Sequence, residues 1–487
     1  MNTEYQVVIL GAGLGGIGLG AVLRSQGIDD FLIVEKEDGP GGTWRDNIYP
    51  GAACDTESHL YCFSFDLHKE VSRLYARQPE LLRYAERLVE RQGLAPHIAY
   101  GREIVSARWD ADALRWTIAL ADGQSVRARI FVAAWGQLNR PQIPEIAGRE
   151  TFAGQQFHSA RWPRDLDLAD KRVASVGNAA SAIQYIPAIA PEAGHLTVFQ
   201  RSPNWIVPRG DRPYTPEELA RFIEHPTAFD ENKAELFAWR ETTFLRMREG
   251  SEEAREVEQQ ARDHLVAQVG DPALRARLLP DFPLGCKRVL RSDDYYPALC
   301  RDNVSLVTEA IDRIVPEGIV TSDGVLHEMD VIIWGTGFET QSFQGPVDVH
   351  GSAGASLRDE WQDGARAYKG MAVAGFPNFF LIYGPNTNLG HNSVLSMFEA
   401  QFAYIAQAAA VVLEQDVALE VGRDSMERYD AALQAEMDGS AWAGNCTSWY
   451  KNAAGRVVNN WSGPVQDYQA LTRRFDREAY RELTEAR

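Results

Sequence analysis

Apolar and polar positions along this chain repeat one order twice. Residues 5–10 form a short β-branched run that reads as a buried parallel strand, followed by an apolar, helix-like stretch to Ser25 and a second short run at Phe31–Val34. The order returns at Arg172–Val176, with a helical stretch to Ile189 and a run at residues 196–199. Two such strand–helix–strand units predict an α/β fold of two nested, three-layer Rossmann-like dinucleotide-binding domains. Residues 209–284 differ: Glu, Ala, Arg and Leu recur there at helical spacing, as in 234–248 and 252–269, and predict a helical insertion inside the second unit. Residues 330–338 read as a further strand. The apolar run at 403–413 is shorter than the ~20 residues a bilayer span needs, so it predicts a buried helix and no stable membrane insertion.

A length of 487 residues suits about three domains. The net charge of −19 argues against nucleic acid or an anionic membrane as partner, and it leaves any anionic ligand dependent on local basic groups. The five cysteines are irregularly spaced and imply neither a disulfide framework nor a metal site, so a cytoplasmic location is expected. No basic region precedes the first apolar run, and no signal peptide is expected. Oligomeric state is not readable from the chain.

Both units carry chemistry in their first turn. Gly11-Ala12-Gly13-Leu14-Gly15-Gly16 follows the first strand directly. Gly11 suits the tight turn, Gly13 lets backbone approach a pyrophosphate at a helix N-terminus, and Gly16 allows close helix packing. Glu35, at the end of the second strand, suits ribose hydroxyls and a dinucleotide without a 2′-phosphate, FAD or NAD. The second turn reads Gly177-Asn178-Ala179-Ala180-Ser181-Ala182, with Ala179 in place of a glycine. Arg201 stands where the acid would be and Ser202 follows, which suits the 2′-phosphate of NADPH. A solvated surface arginine is the alternative for Arg201.

Between the units lies Phe152-Ala153-Gly154-Gln155-Gln156-Phe157-His158-Ser159-Ala160-Arg161-Trp162-Pro163, or F-x-G-x-x-x-H-x-x-x-W-P. It resembles the signature of Baeyer–Villiger monooxygenases, class B flavoproteins that use NADPH and O2 to insert oxygen beside a ketone carbonyl. The resemblance runs nearly end to end. Gly41-Gly42-Thr43-Trp44 and Tyr49-Pro50-Gly51-Ala52-Ala53-Cys54-Asp55 look like the family's own sequence and select FAD in the first unit. Disulfide reductases share the first turn, but Cys54 and Cys62 lack their spacing.

The resemblance assigns further roles. Thr43, Trp44 and Tyr61 would lie near the flavin, although a core tyrosine is an equal reading of Tyr61. Asp55 would position an arginine there; an aspartate in such a loop also caps backbone amides. In Pro283-Leu284-Gly285-Cys286-Lys287-Arg288, Lys287 would reach the 2′-phosphate and Arg288 would be the catalytic arginine. Its fixed charge suits an anionic C4a-peroxyflavin and the anion it forms with the ketone. His158 and Trp162 would act at the interdomain linker and not as chemical groups. Gly335-Thr336-Gly337-Phe338 and Ala133-Ala134-Trp135-Gly136 would be the two crossings between units, as hinges or as ordinary strand-end turns. Gly384-Pro385-Asn386 and Gly390-His391-Asn392-Ser393 would border the flavin. Cys446-Thr447-Ser448-Trp449-Tyr450 would fold over the nicotinamide with Trp449 as its contact, a core tryptophan being the alternative.

The expected organisation is an FAD domain at 1–142 and 336–487, and an NADPH domain at 143–208 and 286–335 that carries the insertion, 209–285. The expected activity is oxygenation of a ketone to an ester or lactone, with the ketone and O2 as partners. Its rivals are a flavin-dependent N- or S-monooxygenase and a flavin-binding protein without turnover.

Overall fold

The strand Glu4–Leu10 is the centre of an eight-stranded sheet. It pairs in parallel with Phe31–Val34 on one side and with Ser125–Ala133 on the other. Ile98–Ala99 extends the sheet beyond Phe31–Val34, and Phe379–Leu381 joins Ser125–Ala133 in parallel. Arg115–Leu120 and Ile104–Asp110 add antiparallel, and Asp348–His350 closes that edge. Strands from the C-terminal third thus complete a sheet begun at the N-terminus, which is the nesting expected. The computed structural model describes residues 3–225, 227–444 and 448–484.

Three helices cover this sheet. Gln78–Arg91 shows a clean amphipathic face, burying Leu81, Tyr84, Ala85, Leu88 and Val89. Leu14–Ser25 packs against Val394–Gln415 so closely that a Cβ at Gly18 would lie 2.5 Å from the Phe402 ring. Val394–Gln415 is 22 residues long, twice the length of the apolar run, because the buried polar residues Ser396 and Gln401 interrupt that run without ending the helix. It is long and apolar enough to cross a membrane by length and composition, but 61% of its apolar window is buried inside the molecule.

The second sheet has five strands, all parallel: Val304–Val307, His195–Phe199, Arg172–Val176, Val331–Trp334 and Gln155–His158. The insertion leaves it after Ile206–Val207 and returns at Leu290–Arg291, two short strands that pair with each other in parallel. Between them lie the helices Pro216–Glu224, Ala228–Thr242, Glu252–Gln268 and Pro272–Leu278. A Thr215/Glu218 capping box starts the first, and Ser251 caps the third.

The insertion is not confined to the second unit, as the sequence suggested. Tyr214, Phe222 and Phe229 pack into the core of the first sheet, whereas Leu265, Val269 and Leu278 pack into that of the second. The seam is the fully buried ring of His59, in contact with Tyr214, Phe222 and Phe229 and bonded through Nδ1 to Asn232 Oδ1 at 2.9 Å.

The two crossings run side by side. Pro141 bridges Phe338, Gln142 N donates to Gly337 O at 3.0 Å, and Arg140 pairs with Glu339 at 2.8 Å. His158 Nε2 also donates to Gly337 O at 2.8 Å, while its Nδ1 accepts from Ala160 N. Both ring nitrogens therefore serve the backbone, and burial lowers the imidazole's pKa, so His158 has no free nitrogen for proton transfer. Trp162 is buried against Phe157 and Tyr185.

Candidate active site

The first glycine turn is shaped by close backbone approach. Gly11 has φ +98°, and a Cβ there would lie 2.7 Å from Ala134 O; one at Gly16 would lie 1.8 Å from Gly11 O. Gly13 packs against Gly42, whose Cα would lie 3.7 Å from a Cβ at Gly13, beside the short helix that Thr43 begins. The helix Leu14–Ser25 starts with no side-chain cap and no acidic residue in its first turn, so its orphan N–H groups and positive dipole end remain for a pyrophosphate. Glu35 is fixed by Ala12 N at 2.7 Å and Glu37 N at 2.9 Å. Each of its oxygens keeps a lone pair for a ribose hydroxyl. Trp44 Nε1 donates to Tyr61 OH at 3.2 Å. This cradle fits a dinucleotide without a 2′-phosphate.

The second turn has the same logic and a different end. Gly177 has φ +105°, and a Cβ would meet Gly335 O at 2.4 Å. Asn178 Nδ2 bonds Gln200 Oε1 and Ser202 O at 2.9 and 3.1 Å, which ties the turn to the strand end. Ser181 precedes the helix Ala182–Ile189 without capping it by its side chain, and no acid follows in the first turn. Arg201 is exposed, and Lys287 Nζ donates to Ser202 Oγ at 2.8 Å. Burial, and then the Arg201 charge, lower the Lys287 pKa, so the two cations act on each other. The group fits a phosphate dianion.

Asp55 and Arg288 meet between the turns. Arg288 Nη2 and Nε reach Asp55 Oδ2 at 2.5 and 3.1 Å. Burial alone would raise the Asp55 carboxyl, but Arg288, Arg240 and Arg209 outweigh it and hold it at about 2. The Asp55 charge in turn raises the Arg288 pKa, so both groups stay charged across the working range. Burial pushes the neighbouring Tyr383 hydroxyl up and that of Tyr450 up to about 12. Burial and Asp55 likewise push the Cys54 thiol up to about 12, which makes it a poor nucleophile.

Trp449 is held through its backbone: its carbonyl accepts from Gln341 Nε2 and Asn459 Nδ2, each at 2.8 Å, and its ring lies 4.5 Å from that of Tyr450. Cys446 and Thr447 lie outside the described residues. Ser393 stands at the N-cap position of the helix Val394–Gln415 without a side-chain capping bond, while Asn386 binds the backbone of Val457 and Asn460.

Three further residues bear on the site without a signal in the sequence. Arg240, 8% exposed, bonds both Glu57 oxygens at 2.8 and 3.0 Å and the Asp55 carbonyl at 3.1 Å. Within a Glu-rich helix it reads as a surface cation. Arg209 Nη2 holds the Cys54 carbonyl at 2.8 Å. Gln184, on the helix of the second unit, bonds Tyr49 OH and both backbone groups of Ala53, docking the Asp55 loop across the units. Gly51 is required there, since its Cβ would lie 2.5 Å from Gln184 O.

A cavity opens beside the ion pair, between the insertion and the C-terminal segment. Arg240, Arg246, Arg291 and His391 line it together with Asp55 and Arg288.

A family model described as an NAD(P)-binding Rossmann-like domain matches residues 9–77, the first turn and the loop after it. A Baeyer-Villiger monooxygenase of Pseudomonas aeruginosa is 41% identical over 98% of this chain and 91% of its own length. A cyclohexanone monooxygenase from Rhodococcus, solved with NADP+, superposes with a TM-score of 0.89 at 28% identity, covering 99% of this chain and 100% of its own. The enzyme OTEMO, solved with FAD and NADP, gives 0.87 at 26% identity over 98% of this chain and 99% of its own. With that identity over nearly its whole length, the chain belongs to the Baeyer–Villiger monooxygenase family.

Proposed function

We propose that this protein oxygenates a ketone to an ester or lactone, with FAD in the first unit and NADPH in the second. The observation that carries the reading is the Asp55–Arg288 pair, which joins a loop of the first unit to the segment leaving the insertion. FAD, reduced by NADPH, supplies the electrons and the activation of O2. The chain's own residues bind, orient and stabilise charge.

Gly11, Gly13, Gly16 and Glu35 would hold the FAD pyrophosphate and ribose, with Thr43, Trp44 and Tyr61 further along it. Gly177, Asn178 and Ser181 would take the NADPH pyrophosphate, and Arg201, Ser202 and Lys287 its 2′-phosphate, with Trp449 near the nicotinamide. Arg288 is a permanent cation whose Nε and Nη2 are fixed by Asp55, leaving Nη1 without a hydrogen bond among the described residues. That donor would meet the negative charge gathering on the substrate's carbonyl oxygen, and its preorganisation lowers the barrier. Tyr383 and Tyr450 stay protonated and do not compete for the arginine. We assign 1–142 and 336–487 to the FAD domain, 143–208 and 286–335 to the NADPH domain, and 209–285 to the insertion. The cytoplasm, which supplies NADPH, is the compartment this reading calls for.

The test is product analysis with ketones and a sulfide, with NADPH and O2 followed together. Ester or lactone formed in step with NADPH supports the reading. Sulfoxide without ester would favour an S-oxygenase, and no NADPH consumption would favour a flavin-binding protein.

A further inference from the structure

The cavity beside Arg288 holds more positive charge than the reaction needs. Four arginines line it: Arg240, Arg246, Arg288 and Arg291. Two carboxylates answer them, and both are engaged: Asp55 by Arg288, and Glu57 by Arg240. Among the described residues, neither Arg246 nor Arg291 forms an ion pair or a side-chain hydrogen bond. Arg291 has only the Trp239 ring, 6.0 Å from its guanidinium carbon. Glu241, nearby in sequence, is taken up by His391, Asn392, and the backbone N–H groups of Val465 and Gln466. Glu256 is exposed; its charge opposes the lowering of the Arg246 pKa as the smallest of the influences on it, without forming an ion pair among the described residues.

Two half-buried guanidiniums are thus held near each other and near Arg240 with no ion-paired carboxylate among the described residues. Burial, and then the charges of Arg291 and Arg240, lower the Arg246 pKa, which registers the mutual repulsion. The cofactors' anionic parts have places of their own: the pyrophosphates at the two glycine turns, the 2′-phosphate at Arg201, Ser202 and Lys287. Met247, Val257 and Leu284 supply apolar wall in the same cavity. A cleft with apolar walls and one sign of charge concentrates ligands of the opposite sign.

We propose that the ketone is itself an anion: a keto acid whose carboxylate is held by Arg246 and Arg291 while its carbonyl faces Arg288. This rests on the ketone-oxygenation reading. The apolar wall takes the carbon chain between the two ends, and planar guanidiniums suit a carboxylate better than any other side chain.

The holoenzyme, with NADPH, is given medium-chain methyl-ketone acids of increasing length, each beside its own methyl ester. The expected result is a kcat/KM for the acid about tenfold or more above that of its ester at one or more lengths, the scale of a charged hydrogen bond. In the double variant Arg246→Gln, Arg291→Gln that ratio should fall towards unity with the NADPH KM unmoved, and Arg246→Lys should keep part of it. Esters oxidised as well as acids at every length would overturn the proposal, and the wild type alone suffices for that comparison. So would a double variant that keeps the acid preference, or one that raises the NADPH KM instead. If acids, esters and neutral ketones all fail to give oxygenated product, the ketone-oxygenation reading falls first and this proposal with it.

Discussion

Arg240 and Glu57 form a buried, two-point ion pair: Nε and Nη2 of the arginine reach the two carboxylate oxygens at 2.8 and 3.0 Å, and Tyr75 OH adds a third bond at 2.9 Å. The pair ties the insertion to the Asp55 loop. Removing one partner leaves a buried charge unanswered, at a cost of about 3–5 kcal/mol. Arg240→Ala should therefore lower the denaturation midpoint markedly, and Arg240→Leu combined with Glu57→Leu should recover much of the loss. Equal stability of single and double variants would show that the pair is not coupled.

Arg288→Ala should suppress ester formation by about 100- to 1,000-fold while FAD content and fold are retained. Lys at this position should rescue poorly, because a point charge cannot keep the fork held by Asp55. Ester yield per NADPH is the measurement, and near-normal yield and rate in the alanine variant would remove Arg288 from the chemistry.

Arg201→Ala should raise the NADPH KM by roughly ten- to a hundred-fold and leave NADH nearly unaffected, since one charged hydrogen-bond partner of the 2′-phosphate is lost. Steady-state kinetics with both cofactors decides it. An equal loss with both would place Arg201 elsewhere than at the phosphate.

Acid should loosen the insertion before it disturbs the Asp55–Arg288 pair. Burial holds His59 and His68 down at about 4, and each keeps one buried ring nitrogen without a partner: Nε2 of His59 and Nδ1 of His68. Both are therefore neutral in the folded protein, while the unfolded chain takes up protons below about 6.5. Their contribution to stability is complete above that pH and is lost as pH falls from about 6.5 to about 4, by roughly 1–3 kcal/mol each. Asp55, held at about 2, loses its contribution only below the unfolded carboxyl value near ~4. A melting temperature flat above neutrality and falling towards pH ~4, with the fall reduced in His59→Gln, is the expected record. An unchanged fall in the variant would clear His59.

Phe31–Val34 and Arg172–Val176 were legible because each is an apolar run bounded by polar residues or a glycine turn. The turns themselves were legible because positive φ and backbone contact under 3 Å admit only glycine. What depended on distant packing was not. The insertion's second helix begins at Ala228, ahead of the periodic stretch that announced it, and its attachment to both cores has no local signature. Gln184 and Arg240 reach the site from elements whose sequence speaks only of helix, and a buried charge in such a helix looks like a solvated one.

The parallel pairing of Ile206–Val207 with Leu290–Arg291 brings both ends of the insertion to one spot beside the second sheet. A segment whose ends are already clasped can change length and content at small loop-closure cost. The fold thus carries a replaceable cassette: the helices Ala228–Thr242 and Glu252–Gln268, which shape the cavity wall, can diversify while the two cofactor cradles stay fixed. Its debts to the rest of the molecule include the Arg240–Glu57 pair and the ring of His59, which any exchanged cassette would have to cover with aromatic surface of its own.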